Sequence, residues 1–251
     1  MMIALPYSFR SGVPRSAFAA RLGKLALGVM VFVTILSGWG VIAPVIARHR
    51  MLPDDALPQG PCAIWFVGSS SIHRWTTMAV QMRPWIAHNR GVNGALLPEI
   101  SSRFANERAV AAPGAIIFYA GENDISARRP GDMIARDLAG LVQEAHRRMP
   151  SARLFIVALK PSPARWNVRR EQLWLSAVIR QRIAPAVGAT VIDNADALFV
   201  DGRLGPFYRD DNIHLNDDGY RRWGGRIRQV VDKTMPEAAR TRCGVATGAA
   251  A

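Results

Sequence analysis

Short apolar runs alternate with longer amphipathic stretches along most of this chain of 251 residues. Four runs have the length of buried strands, 63–67, 115–120, 154–159 and 189–192, and residues 85–92 are a weaker fifth candidate. Apolar residues recur at helical spacing over 131–149, 168–183 and 217–231. Short buried strands that alternate with helices predict an α/β fold with a five-stranded parallel sheet covered on both faces. Right-handed crossovers then place the carboxyl ends of all strands at one edge, where such sheets build their sites.

The first 50 residues differ in composition from the rest, because they contain six arginines and lysines and no aspartate or glutamate. Residues 25–47 are uncharged and long enough to cross a hydrocarbon core of ~30 Å. We expect a transmembrane anchor at 25–47 after a basic cytoplasmic segment at 1–24. A cleaved secretory signal is the alternative. Both place the remainder outside the cytoplasm, on the periplasmic side of the membrane or secreted.

The remainder divides by composition into three parts. Residues 48–60 are rich in Pro, Asp and Arg and indicate a linker, and residues 61–233 contain the alternating pattern. Residues 234–251 are rich in small residues, which predicts a disordered tail. Cys62 lies in an apolar run and Cys243 in this tail, so we expect no disulfide and a buried thiol at Cys62.

The formal net charge of +13 raises the question of a nucleic-acid partner. Six of these charges lie in the first 50 residues, beside the apolar run, and the others are spread over the rest. This distribution predicts a solvated basic surface and no nucleic-acid groove, while attraction to anionic lipid stays open. The oligomeric state is not indicated.

The first motif with chemical potential is Gly68-Ser69-Ser70-Ser71-Ile72, directly after the first predicted strand. A turn from strand to helix exposes a hydroxyl and points helix N–H groups at incoming negative charge. Ser70 is therefore a candidate nucleophile, provided that a base accepts its proton. The alternative is that the serines only cap the helix. A phosphate-binding loop is disfavoured because no lysine follows the turn.

The motif Asp211-Asn212-Ile213-His214 supplies a candidate base. Asp211 and His214 are three residues apart, so the carboxylate can orient the imidazole and stabilise its protonated form. Metal ligation is an alternative for this pair, but no further cluster has metal-ligand spacing. We expect surface or structural roles for the other histidines: His49, His73, His88 and His146.

Two further motifs contain candidate donors to an oxyanion, Asn89-Arg90-Gly91-Val92-Asn93-Gly94 and Gly121-Glu122-Asn123-Asp124. The Asn123 side chain carries an NH₂ group, and Gly94 allows close approach to its backbone N–H. The backbone N–H of Ser70 is a third candidate. Fixed donors of this kind stabilise a tetrahedral intermediate. Ordinary turns are the alternative for both motifs, and Asp124 is expected to brace its loop.

The order and residues of these four motifs resemble those of the SGNH (GDSL-type) serine hydrolases, across residues 61–225. The resemblance implies a flavodoxin-like three-layer α/β/α fold. It also implies hydrolysis of esters or thioesters without a metal or organic cofactor, with the following roles: Ser70 as nucleophile, Asp211 and His214 as the rest of the triad, and Ser70, Gly94 and Asn123 in the oxyanion hole. One residue departs from the family pattern, because Ser69 stands where the family has Asp.

The predicted function is hydrolysis of carboxylic esters with short acyl groups, in small molecules or glycans. Arg165 and Trp166 follow the fourth strand and are candidate substrate contacts, with loop packing as the alternative. Two other functions stay open. One is acyl transfer to a sugar by the same triad, and the other is a non-catalytic binding module tethered to the membrane.

Overall fold

The structure is a computed structural model that describes residues 50–108 and 112–245. Its centre is a five-stranded sheet in the order β2-β1-β3-β4-β5, and every neighbouring pair is parallel. The strands are β1 Ala63–Gly68, β2 Ile86–Gly91, β3 Ala115–Tyr119, β4 Arg153–Val157 and β5 Thr190–Ile192. The predicted parallel sheet is confirmed, and its order is that of flavodoxin-like sheets.

Helices fill the connections between the strands. Their bounds are α1 Ser70–His73, α2 Met78–Gln81, α3 Leu97–Ala105, α4 Glu122–Ser126, α5 Gly131–Arg148, α6 Arg169–Val178, α7 Ala184–Ala186, α8 Asp217–Thr234 and α9 Glu237–Arg242. A π-helical turn, Ile179–Ile183, joins α6 to α7, and 3-10 turns occupy Pro163–Val168 and Ala195–Leu198. A short antiparallel pair, β6 Phe199–Val200 and β7 Arg203–Leu204, precedes α8.

Two neighbouring residues of β3 show that helices cover both faces of the sheet. The ring of Phe118 packs on Phe104 of α3, with centroids 6.3 Å apart. The ring of Tyr119 packs on Trp223 of α8, with centroids 5.1 Å apart. Because consecutive side chains of a strand point to opposite faces, α3 and α8 lie on opposite faces of the sheet. The sheet and the helices on its two faces therefore form three layers.

The carboxyl ends of the three central strands lie side by side. Gly68, the last residue of β1, pairs with Gly91 of β2 on one side and with Tyr119 of β3 on the other. A Cβ on Gly68 would lie 2.2 Å from the carbonyl oxygen of Tyr119, so the close approach of the strands requires glycine here. The loops that follow these strands carry the candidate residues Ser70, Gly94 and Asn123.

The structure overturns the expectations for the cysteines and for part of the tail. Cys62 and Cys243 form a disulfide that spans 181 residues of sequence. The chain from 234 to 245 is ordered around α9, and the side chain of Met235 is buried in the core. The prediction of a disordered tail is therefore wrong for residues 234–245. The small residues of this segment gave no indication of the covalent link that joins the end of α9 to the amino end of β1.

Residues 50–60 are the part of the predicted linker that the structure describes, and they form no helix or strand. They are nevertheless fixed to the domain, because the backbone N–H of Leu52 donates to Glu107 and the carboxylate of Asp55 lies 2.7 Å from Nδ1 of His88. No helix in residues 50–108 or 112–245 has the length and apolar character needed to span a membrane. The predicted anchor at 25–47 lies outside these residues.

Candidate active site

Ser70 is the first residue of α1 and follows the end of β1 by two positions. Its Oγ lies 2.8 Å from Nε2 of His214, a residue 144 positions away in sequence. Ser69 occupies the N-cap position but makes no side-chain cap hydrogen bond, and the hydroxyl of Ser71 donates to Glu122. The geometry therefore favours a reactive hydroxyl at Ser70 over the alternative in which the serines only cap the helix.

Asp211 organises the turn that carries His214. One carboxylate oxygen accepts hydrogen bonds from the backbone N–H groups of Ile213 and His214, both at 2.9 Å. The other oxygen lies 2.6 Å from Nδ1 of His214. The carboxylate is held by three donors from its own turn, so it fixes both the loop and the ring.

The hydrogen-bond partners define the protonation of the imidazole. An ionised carboxylate only accepts hydrogen bonds, so Nδ1 of His214 carries the hydrogen that faces Asp211. Nε2 of the neutral ring is then an acceptor for the hydroxyl of Ser70. This is the tautomer that a general base requires, since the nitrogen beside the nucleophile is free to take its proton.

The electrostatic surroundings support the same protonation states. Burial lowers the pKa of His214; the hydrogen bond from its ring to Asp211 opposes this effect, and the charges of Arg74 and Lys160 reinforce it. Burial would raise the pKa of Asp211, but the hydrogen bonds donated by His214 and Ile213 outweigh it, and the net pKa is lowered. The pair is therefore a neutral imidazole beside an ionised carboxylate.

Backbone donors without acceptors lie on both sides of the nucleophile turn. Within the described chain, neither the N–H of Ser70 nor the N–H of Gly94 donates a hydrogen bond to a protein group. Gly94 has a φ of 72°, a conformation that glycine adopts without strain. Its loop and the Ser70 turn leave adjacent strands at the same level, because Gly68 and Gly91 are register partners.

The side chain of Asn123 connects the loops after β2 and β3. Its Nδ2 donates to the carbonyl oxygen of Ala95 at 3.0 Å, which leaves the second hydrogen of the amide group for another acceptor. The neighbouring Asp124 accepts from the backbone N–H of Leu97 at 3.1 and 3.2 Å and forms an ion pair with Arg129. Asp124 thus braces the loop, as expected.

The two candidate substrate contacts have different surroundings. Arg165 is part-buried, and its guanidinium donates to Oδ1 of Asn123 at 2.9 Å. Trp166 is 52% exposed and lines a cavity of about 360 Å³ together with residues of the β6–β7 hairpin. The structure therefore connects Arg165 to a candidate oxyanion donor, whereas Trp166 stays a candidate for substrate contact.

No role was expected for Lys160 or Glu122 from the sequence. In the structure, Lys160 contacts the turn that carries His214, and Glu122 contacts Ser71, the neighbour of Ser70. Lys160 is fully buried, with its Nζ 3.4 Å from a carboxylate oxygen of Glu122. Its Nζ also donates to the carbonyl oxygen of Ile213 at 2.9 Å. A charged residue directly after an apolar strand was the available signal, because such a position is buried at the site edge of a parallel sheet.

Potential metal ligands occur elsewhere in the described chain. Asp54, Asp55 and His88 form the one group of three, and no third ligand joins Asp211 and His214 in residues 50–108 and 112–245. Both ring nitrogens of His88 have protein partners, at Asp55 and at the carbonyl oxygen of Pro58. We assign His88 a structural role that ties the segment before β1 to β2.

A doubly wound parallel sheet with Asp, His and Ser in series at its carboxyl edge has the arrangement of a serine hydrolase. Residues 55–222 match the sequence profile of the GDSL-like lipase/acylhydrolase family. Since the match covers more than half of the sequence, the chain belongs to this family, as its motifs predicted. No curated protein matches the chain.

Three of the solved structures with similar folds are described as lipases, acylhydrolases or lipolytic proteins. A GDSL-like lipase from Bacteroides thetaiotaomicron is 19% identical, with a TM-score of 0.59, and the match covers 71% of this chain and 93% of that one. A lipase/acylhydrolase from Enterococcus faecalis is 15% identical, with a TM-score of 0.59 and coverage of 69% and 97%. A member of the lipolytic G-D-S-L family from Veillonella parvula is 18% identical, with a TM-score of 0.54 and coverage of 69% and 98%. At these identities the likeness concerns the fold.

Proposed function

We propose that the protein is a serine esterase that hydrolyses carboxylic esters with short acyl groups, in small molecules or glycans. One observation carries the proposal: Asp211, His214 and Ser70 form a continuous series of hydrogen bonds of 2.6 and 2.8 Å at the edge of the sheet where the candidate oxyanion donors lie. A solvated structural histidine needs neither a carboxylate on one nitrogen nor a serine hydroxyl on the other.

In the acylation half of the reaction, Oγ of Ser70 attacks the ester carbonyl carbon while Nε2 of His214 takes the hydroxyl proton. Asp211 holds the ring in its tautomer and stabilises the imidazolium. The carbonyl oxygen becomes an oxyanion, which the N–H groups of Ser70 and Gly94 and the free amide hydrogen of Asn123 stabilise. The intermediate collapses when the imidazolium gives its proton to the departing alcohol, and an acyl-enzyme remains.

In the deacylation half, water takes the place of the alcohol. Nε2 of His214 removes one water proton as the oxygen attacks the acyl carbon, and the second oxyanion occupies the same donors. The proton then returns to Oγ of Ser70, and the carboxylic acid leaves. Every proton in this cycle passes through one nitrogen, so no metal or organic cofactor enters it.

The preference for short acyl groups is supported by the position of larger cavities. Cavities of about 390 and 860 Å³ are lined by residues of α5 and α6, and neither is lined by Ser70 or His214. The cavity of about 360 Å³ beside Trp166 is lined by Pro163 and Trp166, on either side of Arg165, and by residues of the β6–β7 hairpin. We infer that Trp166 contacts the acyl or sugar part of the substrate.

We also propose that the domain acts outside the cytoplasm, anchored to the membrane by residues 25–47 or released after cleavage there. The disulfide between Cys62 and Cys243 supports this location, because structural disulfides persist in oxidising compartments and are rare in the cytosol. A fusion of residues 1–50 to a reporter enzyme that is active only after export tests this location. We expect an active reporter, and an inactive one would show that residues 1–50 leave the fused domain in the cytoplasm.

Covalent labelling with a fluorophosphonate tests the nucleophile. We expect the wild-type protein to take one label at Ser70 and to hydrolyse 4-nitrophenyl acetate. Ser70→Ala should lose the label and at least ~10³-fold of turnover, with an unchanged unfolding midpoint. Ser69→Ala is the matched control and should keep both, because the Ser69 hydroxyl makes no cap hydrogen bond. An unlabelled wild type that is folded would favour a binding module.

Product analysis separates hydrolysis from transfer. With a sugar acceptor added to the same reaction, an esterase releases the free acid at an unchanged rate. Acylation of the sugar in place of release of the acid would reassign the protein to the acyltransferases, with the same residues in the same roles.

A further inference from the structure

The pair Lys160 and Glu122 is a buried ion pair at the centre of the site. The side chain of Lys160 is 0% exposed and that of Glu122 is 2% exposed. Charged side chains are almost never buried to this extent unless they are paired, and the pair itself adds little net stability because both charges lose their hydration. Stability therefore does not explain why this pair is buried among the loops that carry Ser70, Asn123 and His214.

Lys160 contacts the turn that carries the base. Its Nζ donates to the carbonyl oxygen of Ile213 at 2.9 Å. The same peptide unit supplies the N–H of His214, which donates to Asp211 at 2.9 Å. Both ends of the peptide that precedes His214 are thus held by charged groups, and the plane of this peptide sets the direction in which the imidazole leaves the backbone.

Glu122 contacts the other two loops. One carboxylate oxygen accepts from the hydroxyl of Ser71, the residue after the nucleophile, at 3.4 Å. The same oxygen lies 4.0 Å from the guanidinium of Arg165, which donates to Oδ1 of Asn123. Asn123 itself follows Glu122 directly in α4. The carboxylate therefore lies against a neighbour of the nucleophile and against the group that orients the candidate oxyanion donor.

We propose that Lys160 and Glu122 are positioning residues that hold the nucleophile turn, the Asn123 side chain and the His214 peptide in one arrangement. This inference rests on the proposed esterase function. The pair touches no reacting atom, so it acts through the residues that do. Removing either charge lets the loops shift relative to one another, and displacements of about 1 Å at a reacting centre cost up to ~10²-fold in rate.

The charge of Lys160 predicts a second effect of its removal, on the pH dependence of activity. The pKa of His214 is lowered by burial first, and the charges of Arg74 and Lys160 lower it further, while Asp211 opposes them. Loss of the Lys160 charge therefore raises the pKa of His214. The acid limb of kcat/KM should then move to higher pH, which a purely structural role of Lys160 would not produce.

The experiment compares Lys160→Met and Glu122→Gln with a control from a second buried pair. Arg90 and Glu107 lie 3.2 Å apart with side chains 4% and 5% exposed, and their other polar side-chain partners are Asp54 and the backbone N–H of Leu52. Glu107→Gln removes a carboxylate charge of similar burial. Fluorophosphonate titration counts the competent sites in each preparation, and kcat, KM and the pH profile are then expressed per site.

We expect both pair variants to lose ~10–10²-fold in kcat per site with little change in KM, and Lys160→Met to shift its acid limb upward. Glu107→Gln should keep the kcat of the wild type per site. Wild-type kcat and pH profile in the pair variants would overturn the inference. If a single variant does not fold, the double variant Lys160→Met/Glu122→Met replaces both charges by apolar groups, and it should show the same loss of kcat.

Failure of the two proposals is distinguishable. A wild type that takes no fluorophosphonate label overturns the esterase function and the positioning role together. A wild type that labels at Ser70, with pair variants as active per site as the wild type, overturns the positioning role alone.

Discussion

Arg165 donates a hydrogen bond of 2.9 Å to Oδ1 of Asn123 and so determines which end of the amide group is oxygen and which is nitrogen. A guanidinium only donates, so the atom that faces it must be the amide oxygen. Nδ2 then faces the loop after β2, where it donates to Ala95. An arginine that sequence reasoning placed against substrate thus orients the group that we expect to bind the oxyanion.

Asn123→Ala should lower kcat by ~10²–10³-fold with a small change in KM, because a fixed donor acts on the charge that develops in the transition state. Arg165→Met should cost less, up to ~10²-fold, since the amide remains but its orientation is no longer fixed. Steady-state kinetics on a short aryl ester measures both. Arg180→Met is the control, because its guanidinium pairs with the exposed Asp193.

The double variant Asn123→Ala/Arg165→Met distinguishes an indirect role of Arg165, through Asn123, from a direct contact of Arg165 with substrate. If Arg165 acts through Asn123, the second substitution should add little to the first. Additive losses, or a rise in KM on Arg165→Met alone, would instead assign the guanidinium to substrate binding.

The pH dependence of kcat/KM should report His214. A general base must be neutral, and burial lowers the pKa of this imidazole, so the neutral form persists to a lower pH than for an exposed histidine. Activity should therefore be retained as the pH falls through ~6.5 and be lost only below it. A profile measured from ~pH 4 to ~8 in constant ionic strength tests this. An acid limb above ~6.5 would contradict the described burial of the ring.

Asp211→Asn should lower kcat by ~10³–10⁴-fold while leaving the fold intact. The amide oxygen of Asn can still accept from the backbone N–H groups of the turn, but its NH₂ group then faces Nδ1 of His214. The ring must accept at Nδ1 and carry its hydrogen on Nε2, which blocks proton transfer from Ser70. A variant with near wild-type kcat and an unchanged unfolding midpoint would remove Asp211 from the mechanism.

Much of the fold followed from the sequence, because strands buried on both faces read as continuous apolar runs. β2 gave the weakest signal for a physical reason: it contains His88, Asn89 and Arg90, which are polar and buried or half-buried. The structure shows how they are accommodated, with the Arg90 guanidinium 4.2 Å from the ring of Trp65 and beside Glu107. Such compensation depends on tertiary partners and leaves no local pattern.

The same limit applies to the site. Strand ends place the motifs of Ser70, Gly94 and Asn123 at one edge, and the resemblance to the SGNH hydrolases predicted that Asp211 and His214 meet Ser70 there. The structure brings these three residues into contact. The pairing of Lys160 with Glu122 depends instead on β4 lying beside β3, and the role of Arg165 depends on the path of a 3-10 turn. Neither relationship is encoded in a spacing along the chain.

The disulfide between Cys62 and Cys243 should stabilise the domain without affecting catalysis. It closes a loop of 181 residues, and the loss of such a link costs about 2–5 kcal/mol in the free energy of unfolding. Cys62 precedes β1 whereas Ser70 follows it, so the strand separates them by about 20 Å. Cys62→Ser/Cys243→Ser should therefore unfold at lower urea concentration yet keep the kcat of the wild type per labelled site. Reductant should lower the urea midpoint of the wild type and leave that of the double variant unchanged; equal midpoints for oxidised and reduced wild type would show that the link adds no stability.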